Sequence, residues 1–162
     1  MPGRWEWDLI KGTENRSAVG TLVERKSRYL WMTRLDDCSA DATLEAFNQK
    51  FRHVPVCVRK TLTYDQSKEM ARHGELAKRL NIEVYFADPH NPWQRLPKKN
   101  TNELIREYLL KGLNLAPISQ GYLNAIARQL NDRPRKCLGF ATPAEVFAQG
   151  VMNLKKSVAL QT

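Results

Sequence analysis

Along the first 35 residues, short apolar runs at strand spacing are separated by turn residues. Arg4 to Ile10 predicts a strand in which Trp5 and Trp7 share one face and Asp8 takes the other. Gly12 to Asn15 supplies turn chemistry, and Ala18 to Glu24 predicts a second strand. A tight basic turn at Arg25 to Ser27 leads into a third strand over Tyr29 to Leu35, which completes an antiparallel meander. The period then changes. Asp36, Asp37 and Ser39 form a helix start, and Ala42, Leu44, Ala46, Phe47 and Phe51 follow at near-helical spacing, stopping before Pro55.

Val56 to Thr63 predicts a fourth strand that delivers Asp65 at or just beyond its C-terminal end, where ligands bind in open α/β sheets. A helix is expected over Ser67 to Leu80, with Met70, Leu76, Ala77 and Leu80 on its apolar side, and a short fifth strand over Ile82 to Phe86. The three prolines between Asp88 and Pro97 favour an ordered irregular loop. Helical periodicity resumes near Lys98, runs through Leu104, Ile105, Tyr108 and Leu109, and ends around Gly112. Two further helices are expected near Ser119 to Leu130 and Thr142 to Ala148, the second opened by the capping box Thr142-Pro-Ala-Glu145. Residues 1–150 are expected to form one core domain, and 151–162 a C-terminal tail.

Charge adds a partner to this outline. The 162 residues carry 26 Lys plus Arg against 17 Asp plus Glu, a net charge of +9 that favours a polyanion, most simply nucleic acid. Residues 1–90 hold 15 basic and 13 acidic side chains, whereas residues 91–162 hold 11 and 4, so the second half is the expected phosphate-facing part. The alternative is a merely soluble basic surface. Cys38, Cys57 and Cys137 are widely spaced with no paired motif, and are expected as reduced, mostly buried thiols. His53, His73 and His90 are scattered and read as ordinary packing or surface residues, not as zinc ligands. No apolar window approaches a membrane span and no basic-then-apolar leader opens the chain, so a cytosolic protein with no membrane partner is expected.

Three antiparallel strands, helix, strand, helix, strand, then helices is the order of an α/β fold of the RNase H-like kind. That is a three-layer arrangement with a five-stranded mixed sheet, three strands antiparallel and two parallel, flanked by helices. In it the first and fourth strands lie side by side, which brings Asp8 to Asp65. Two carboxylates so placed offer oxygens to Mg²⁺, and a third from the helix after the fifth strand would complete a two-metal site for phosphodiester chemistry.

Several ordered segments resemble the catalytic domain of DDE transposases of the bacterial insertion sequence thirty family, an integrase-type core. They are Trp5-Glu-Trp-Asp-Leu-Ile10, Gly20-Thr-Leu-Val-Glu-Arg25 and Leu62-Thr-Tyr-Asp-Gln-Ser-Lys-Glu-Met-Ala71, then Asp88-Pro-His-Asn-Pro-Trp-Gln-Arg95 with Asn100-Thr-Asn102, and finally Leu130-Asn-Asp-Arg-Pro-Arg-Lys136 with Thr142-Pro-Ala-Glu145. The resemblance runs from Gly3 to about Ala148. It implies that Asp8 and Asp65 are the first two catalytic, metal-holding acids, with Mg²⁺ or Mn²⁺ as cofactor in a two-ion site. The family's Glu falls on Lys99, and Trp7 and Ser67 stand where its pattern has glycines. At an effective dielectric of 20, a unit charge 4 Å from a divalent ion interacts by about 8 kcal/mol, a gross term that an ammonium would turn repulsive.

Glu103 is the candidate substitute acid, on the same helical face as Lys99 but roughly 6 Å along the axis. Asp88 and Glu69 read as supporting or surface groups. Arg95, Lys98, Lys99, Arg133, Arg135 and Lys136 are the expected DNA contacts, with Lys155 and Lys156 as further phosphate candidates, and Trp93 is a base-stacking residue or a loop anchor. The expectation is a transposase core acting on DNA by metal-dependent hydrolysis and strand transfer, impaired at Lys99. The alternatives are a non-catalytic DNA-binding or oligomerisation module of transposase descent, and a general metal-dependent nuclease on the same scaffold. A homo-oligomer, or an assembly with an intact transposase at the bacterial nucleoid, is the implied setting. End-sequence recognition is expected to lie elsewhere or to have been lost.

Overall fold

The computed structural model describes residues 1–64, 73–86, 96–109 and 112–161, apart from the side chains of Asn15 and of residues 96–100. Five strands form one sheet in the order β3-β2-β1-β4-β5. They are β1 (Arg4–Lys11), β2 (Ala18–Glu24), β3 (Leu30–Leu35), β4 (Thr61–Tyr64) and β5 (Glu83–Phe86). β1 runs antiparallel to β2 and parallel to β4, β2 pairs antiparallel with β3, and β4 pairs parallel with β5. The expected adjacency of the first and fourth strands is therefore present.

The helices α1 (Ala40–Phe51), α2 (His73–Leu80), α3 (Leu96–Ile105), α4 (Gln120–Asn131) and α5 (Pro143–Leu160) cover the two faces of this sheet. On one face Trp5, Trp7 and Leu22 meet Phe47 of α1, Leu76 of α2 and Leu154 of α5. On the other, Ile10, Val19 and Met32 meet Ile105 of α3 and Leu123 and Ile126 of α4. Side-chain caps start the helices where the sequence signals them. Ser39 accepts from the backbone N–H of Ala42 at 3.1 Å, Ser119 from that of Tyr122 at 3.1 Å, and the Thr142–Glu145 box is closed in both directions at 3.1 and 2.8 Å.

Four boundaries differ from the sequence reading. The stretch expected to open the fourth strand forms a 3-10 turn at Val56–Val58 after Pro55, and β4 starts only at Thr61. α3 begins at Leu96, with Pro97 in its first turn where a missing N–H costs nothing, and ends at Ile105 instead of near Gly112. α5 runs to Leu160, so most of the segment expected as a tail is helical and buries Leu154 in the first core. The cysteines are free, but Cys38 and Cys57 are half-buried and Cys137, in the exposed Lys136–Leu138 turn, is on the surface, so none is a core residue. Among the described residues no helix is long and apolar enough to cross a membrane.

One contact explains a glycine. A Cβ built on Gly20 would meet Cη2 of Trp7 at 1.9 Å, and Trp7 is itself buried with its ring 4.1 Å from Phe47. The rigid indole, standing where the resembled family has glycine, needs a bare backbone across the ladder. Gly20→Ala is expected to lower unfolding free energy by about 2 kcal/mol, read by urea denaturation. In a Trp7→Ala background most of that loss should vanish, and an unchanged loss would show that Gly20 matters for another reason.

Candidate functional site

Asp8 lies on β1 opposite Thr21 of β2, and because strand side chains alternate it faces away from Trp5 and Trp7 toward the second core. It is half-buried. The Thr21 hydroxyl donates to its backbone carbonyl at 3.4 Å. α3 packs over this face through Ile105, with Leu104 and Tyr108 at the margin of the same core. That packing carries Asn102 to the carboxylate, where its Nδ2 donates to Asp8 Oδ2 at 2.5 Å across 94 residues of sequence. The other amide atom, Asn102 Oδ1, is buried with no hydrogen-bond partner among the described residues.

The Asp8 carboxylate and the Asn102 carbonyl oxygen are oxygen donors of the kind hard divalent cations take. Among the described residues no group of three or more His, Cys, Asp and Glu side chains forms a metal cluster. Asp65, Glu69, Asp88, Trp93 and Arg95 lie outside the described residues, as do the side chains of Lys98 and Lys99. Glu103 is described and is exposed, whereas its neighbour Asn102 makes the contact with Asp8. Sequence reasoning noted Asn102 only as part of a motif. Its spacing of three from Lys99 was the available signal, since residues three apart share a helical face.

Tyr64 closes β4 immediately before position 65. Its ring lies 4.8 Å from that of Phe86, its hydroxyl is buried without a hydrogen-bond partner among the described residues, and burial pushes its pKa up to about 12.

The basic residues of the 133–136 segment gather at another place. Asn131, at the end of α4, accepts from Leu30 N–H at 2.8 Å and donates to Leu30 C=O at 2.9 Å, which fastens this segment to the start of β3. Arg133 forks onto Glu107 Oε2 at 3.3 and 3.4 Å and donates to the Tyr108 hydroxyl at 3.2 Å. Arg135 is half-buried and Lys136 exposed. These residues are not brought to Asp8. The β2–β3 turn beside them flanks the N-terminal end of β1, with Arg25 N–H bonded to Arg4 C=O at 2.8 Å.

The family model for the integrase core domain matches residues 1–92. Over 153 residues the chain is 51% identical to the transposase for insertion sequence element IS1086 of Cupriavidus metallidurans, covering 94% of this chain and 45% of that protein. It is 46% identical over 149 residues to transposase InsI for insertion sequence element IS30A of Escherichia coli, covering 92% and 39%. The chain thus spans less than half the length of these relatives. Among solved structures, the catalytic core domain of BIV integrase matches with a TM-score of 0.73 at 17% identity, covering 93% of this chain and 97% of that one. That likeness shows the fold to be RNase H-like.

The Tyr64 phenol has a testable pH signature. Its folded pKa lies above the ordinary value near 10, so the unfolded chain ionises first and stability falls as pH rises from about 10 toward about 12. Stability contributed by the neutral phenol is fully present below that window. Tyr64→Phe should flatten the alkaline fall in denaturant-melt stability. At neutral pH it should change stability by less than about 0.5 kcal/mol, because the hydroxyl it removes has no hydrogen-bond partner among the described residues.

Proposed function

This chain belongs to the integrase core domain family, and we propose that it is the core of an insertion-sequence transposase whose DNA-processing site is impaired at Lys99. The supporting observation is the parallel register of β1 and β4, in which Arg4 pairs with Thr61, Trp5 with Leu62 and Glu6 with Thr63. Asp8 lies two residues beyond Glu6 on β1, and Asp65 follows Tyr64, the last residue of β4, in the sequence. In this reading Asp8 and Asp65 hold Mg²⁺ or Mn²⁺. When bound, such ions activate the attacking oxygen and stabilise the leaving one in phosphodiester hydrolysis and strand transfer.

The chain's own groups divide the remaining work. Asp8 supplies carboxylate oxygens, and Asn102 is a positioning residue that fixes the carboxylate's rotation by a charge-assisted hydrogen bond. Lys99, at the family's third acid, contributes an ammonium that ligates no metal and repels the ions it would border. Arg95, Lys98, Arg133, Arg135 and Lys136 are the residues assigned to the DNA backbone. A second reading, a DNA-binding module without catalysis that assembles with its own copies or with an intact transposase, is favoured by one specific feature. Among the described residues Asp8 is contacted from α3 by the neutral Asn102, while Glu103 is exposed.

Calorimetric titration with Mn²⁺, followed by nicking of a labelled transposon-end duplex, separates these readings. Lys99→Glu is expected to bind the ion at least about 10-fold more tightly than the parent chain and to gain nicking. Adding Asn102→Ala to Lys99→Glu should cost about 10- to 100-fold in metal affinity. Equal activity of the parent and Lys99→Glu, abolished in both by Glu103→Gln, would overturn the assignment of impairment to Lys99.

A further inference from the structure

The loop between α4 and α5 holds a large aromatic side chain in a conformation that costs the fold and buries little. Gly139 and Phe140 both sit in the left-handed region, at φ 61° and 67°. Glycine takes that backbone freely, whereas a bulky aromatic residue there is strained. The turn around it enforces the strain. Phe140 N–H donates to Arg135 C=O at 2.9 Å, Arg135 N–H to Ala141 C=O at 3.0 Å, and Ala141 N–H to Leu138 C=O at 3.2 Å. The ring presented in this way is 71% exposed, so packing within the chain gives little in return.

Beside this knob lies a shape that complements it. Ala141, the residue after Phe140, lines an open-mouthed cavity of about 420 Å³ together with Pro2, Val146 and Gly150, with Lys26 and Glu145 at its edge. A cavity of that volume and partly apolar lining admits a phenyl ring. Charge is complementary too. Exposed Lys136 stands on the knob side, and exposed Glu145 on the cavity side. Because knob and cavity adjoin, a single two-fold axis between them serves both, as a self-complementary interface requires.

We propose that a second copy of this chain docks here, the Phe140 ring of each copy entering the cavity of the other and each Lys136 lying opposite the other's Glu145. The inference goes beyond the proposed function and does not rest on it. Each phenyl ring contributes roughly 200 Å² of buried surface. With its rim the contact falls short of the roughly 800 Å² per partner typical of stable complexes. The pairing is therefore weak, with a dissociation constant of roughly 10 μM or above.

The test is sedimentation velocity over a concentration series, without DNA, on the parent chain, Phe140→Gly and Gln149→Trp. Gln149 is exposed on α5 and lines the cavity, so an indole at that position fills it from the surface and leaves the core alone. The parent should pass from monomer to dimer as concentration rises. Each variant should move that midpoint upward by at least about 10-fold. A mixture of the two variants should recover part of the association. In the mixed pair the ring of the Gln149→Trp chain meets the open cavity of the Phe140→Gly chain once, whereas neither variant alone keeps such a contact.

Phe140→Gly should also raise the thermal midpoint at low concentration by roughly 2 °C or more, since it relieves the left-handed strain. A lower midpoint would show that the ring packs within its own chain, and would overturn the proposal. So would a parent that stays monomeric up to about 1 mM, or a dimer that Phe140→Gly leaves unchanged. Absence of recovery in the mixture would overturn it as well, leaving knob and cavity to act within one chain.

Discussion

β1 is hydrogen-bonded along both edges, to β2 in the antiparallel sense and to β4 in the parallel sense, and this double pairing is the constraint from which the candidate site follows. With its register fixed on two sides, its side chains have only two destinations. Trp5 goes into the first core, stacked on Trp31 at 5.1 Å and edge-on to Phe51 and Phe147 at 5.8 Å, and Trp7 packs on Phe47. Asp8 must then emerge on the other face, under α3. A slip of one residue would put the tryptophans in the wrong layer, at a cost of about 2 to 3 kcal/mol for each large side chain turned out. Apolar burial on one side of the sheet therefore aims a carboxylate on the other.

Charge is managed unevenly in this chain. Buried Glu24 receives Gly3 N–H at 3.1 Å, Ser27 N–H at 2.8 Å and the Ser27 hydroxyl at 2.6 Å, and buried Glu6 is paired with Arg25 at 3.0 Å. The interior carboxylate of Glu24 is thus provided with donors. Arg28 Nη1 and Arg135 Nε and Nη2 are buried with no hydrogen-bond partner among the described residues, whereas Arg25 pairs with Glu6 and Arg133 forks onto Glu107.

What could be read from the sequence is what local chemistry decides. Strand alternation at Trp5, Trp7 and Asp8, the helix start at Ser39 and the box at Thr142 each depend on neighbours a few residues away, and each stands where expected. The end of α5 was misjudged for a nonlocal reason. A Cβ on Gly150 would approach Pro2 Cγ at 2.8 Å, so this glycine lets the chain's N-terminal residues pack against a helix that continues past it. The late start of β4 reflects the turn that follows Pro55. Asn102 was not legible as a site residue, because it acts across 94 residues. Asp65 and Lys99 remain assignments from register and resemblance.

The two charged regions depend on different parts of the chain. Asp8 is placed by the pairing of β1 with β2 and β4 and by its contact with Asn102 of α3. The basic 133–136 segment is placed instead by the end of α4 and the loop before α5, through the Asn131–Leu30 clamp and the Arg135 backbone bonds. The clamp shares no hydrogen bond with the Asp8 contact, so a change at one region leaves the bonds that hold the other in place.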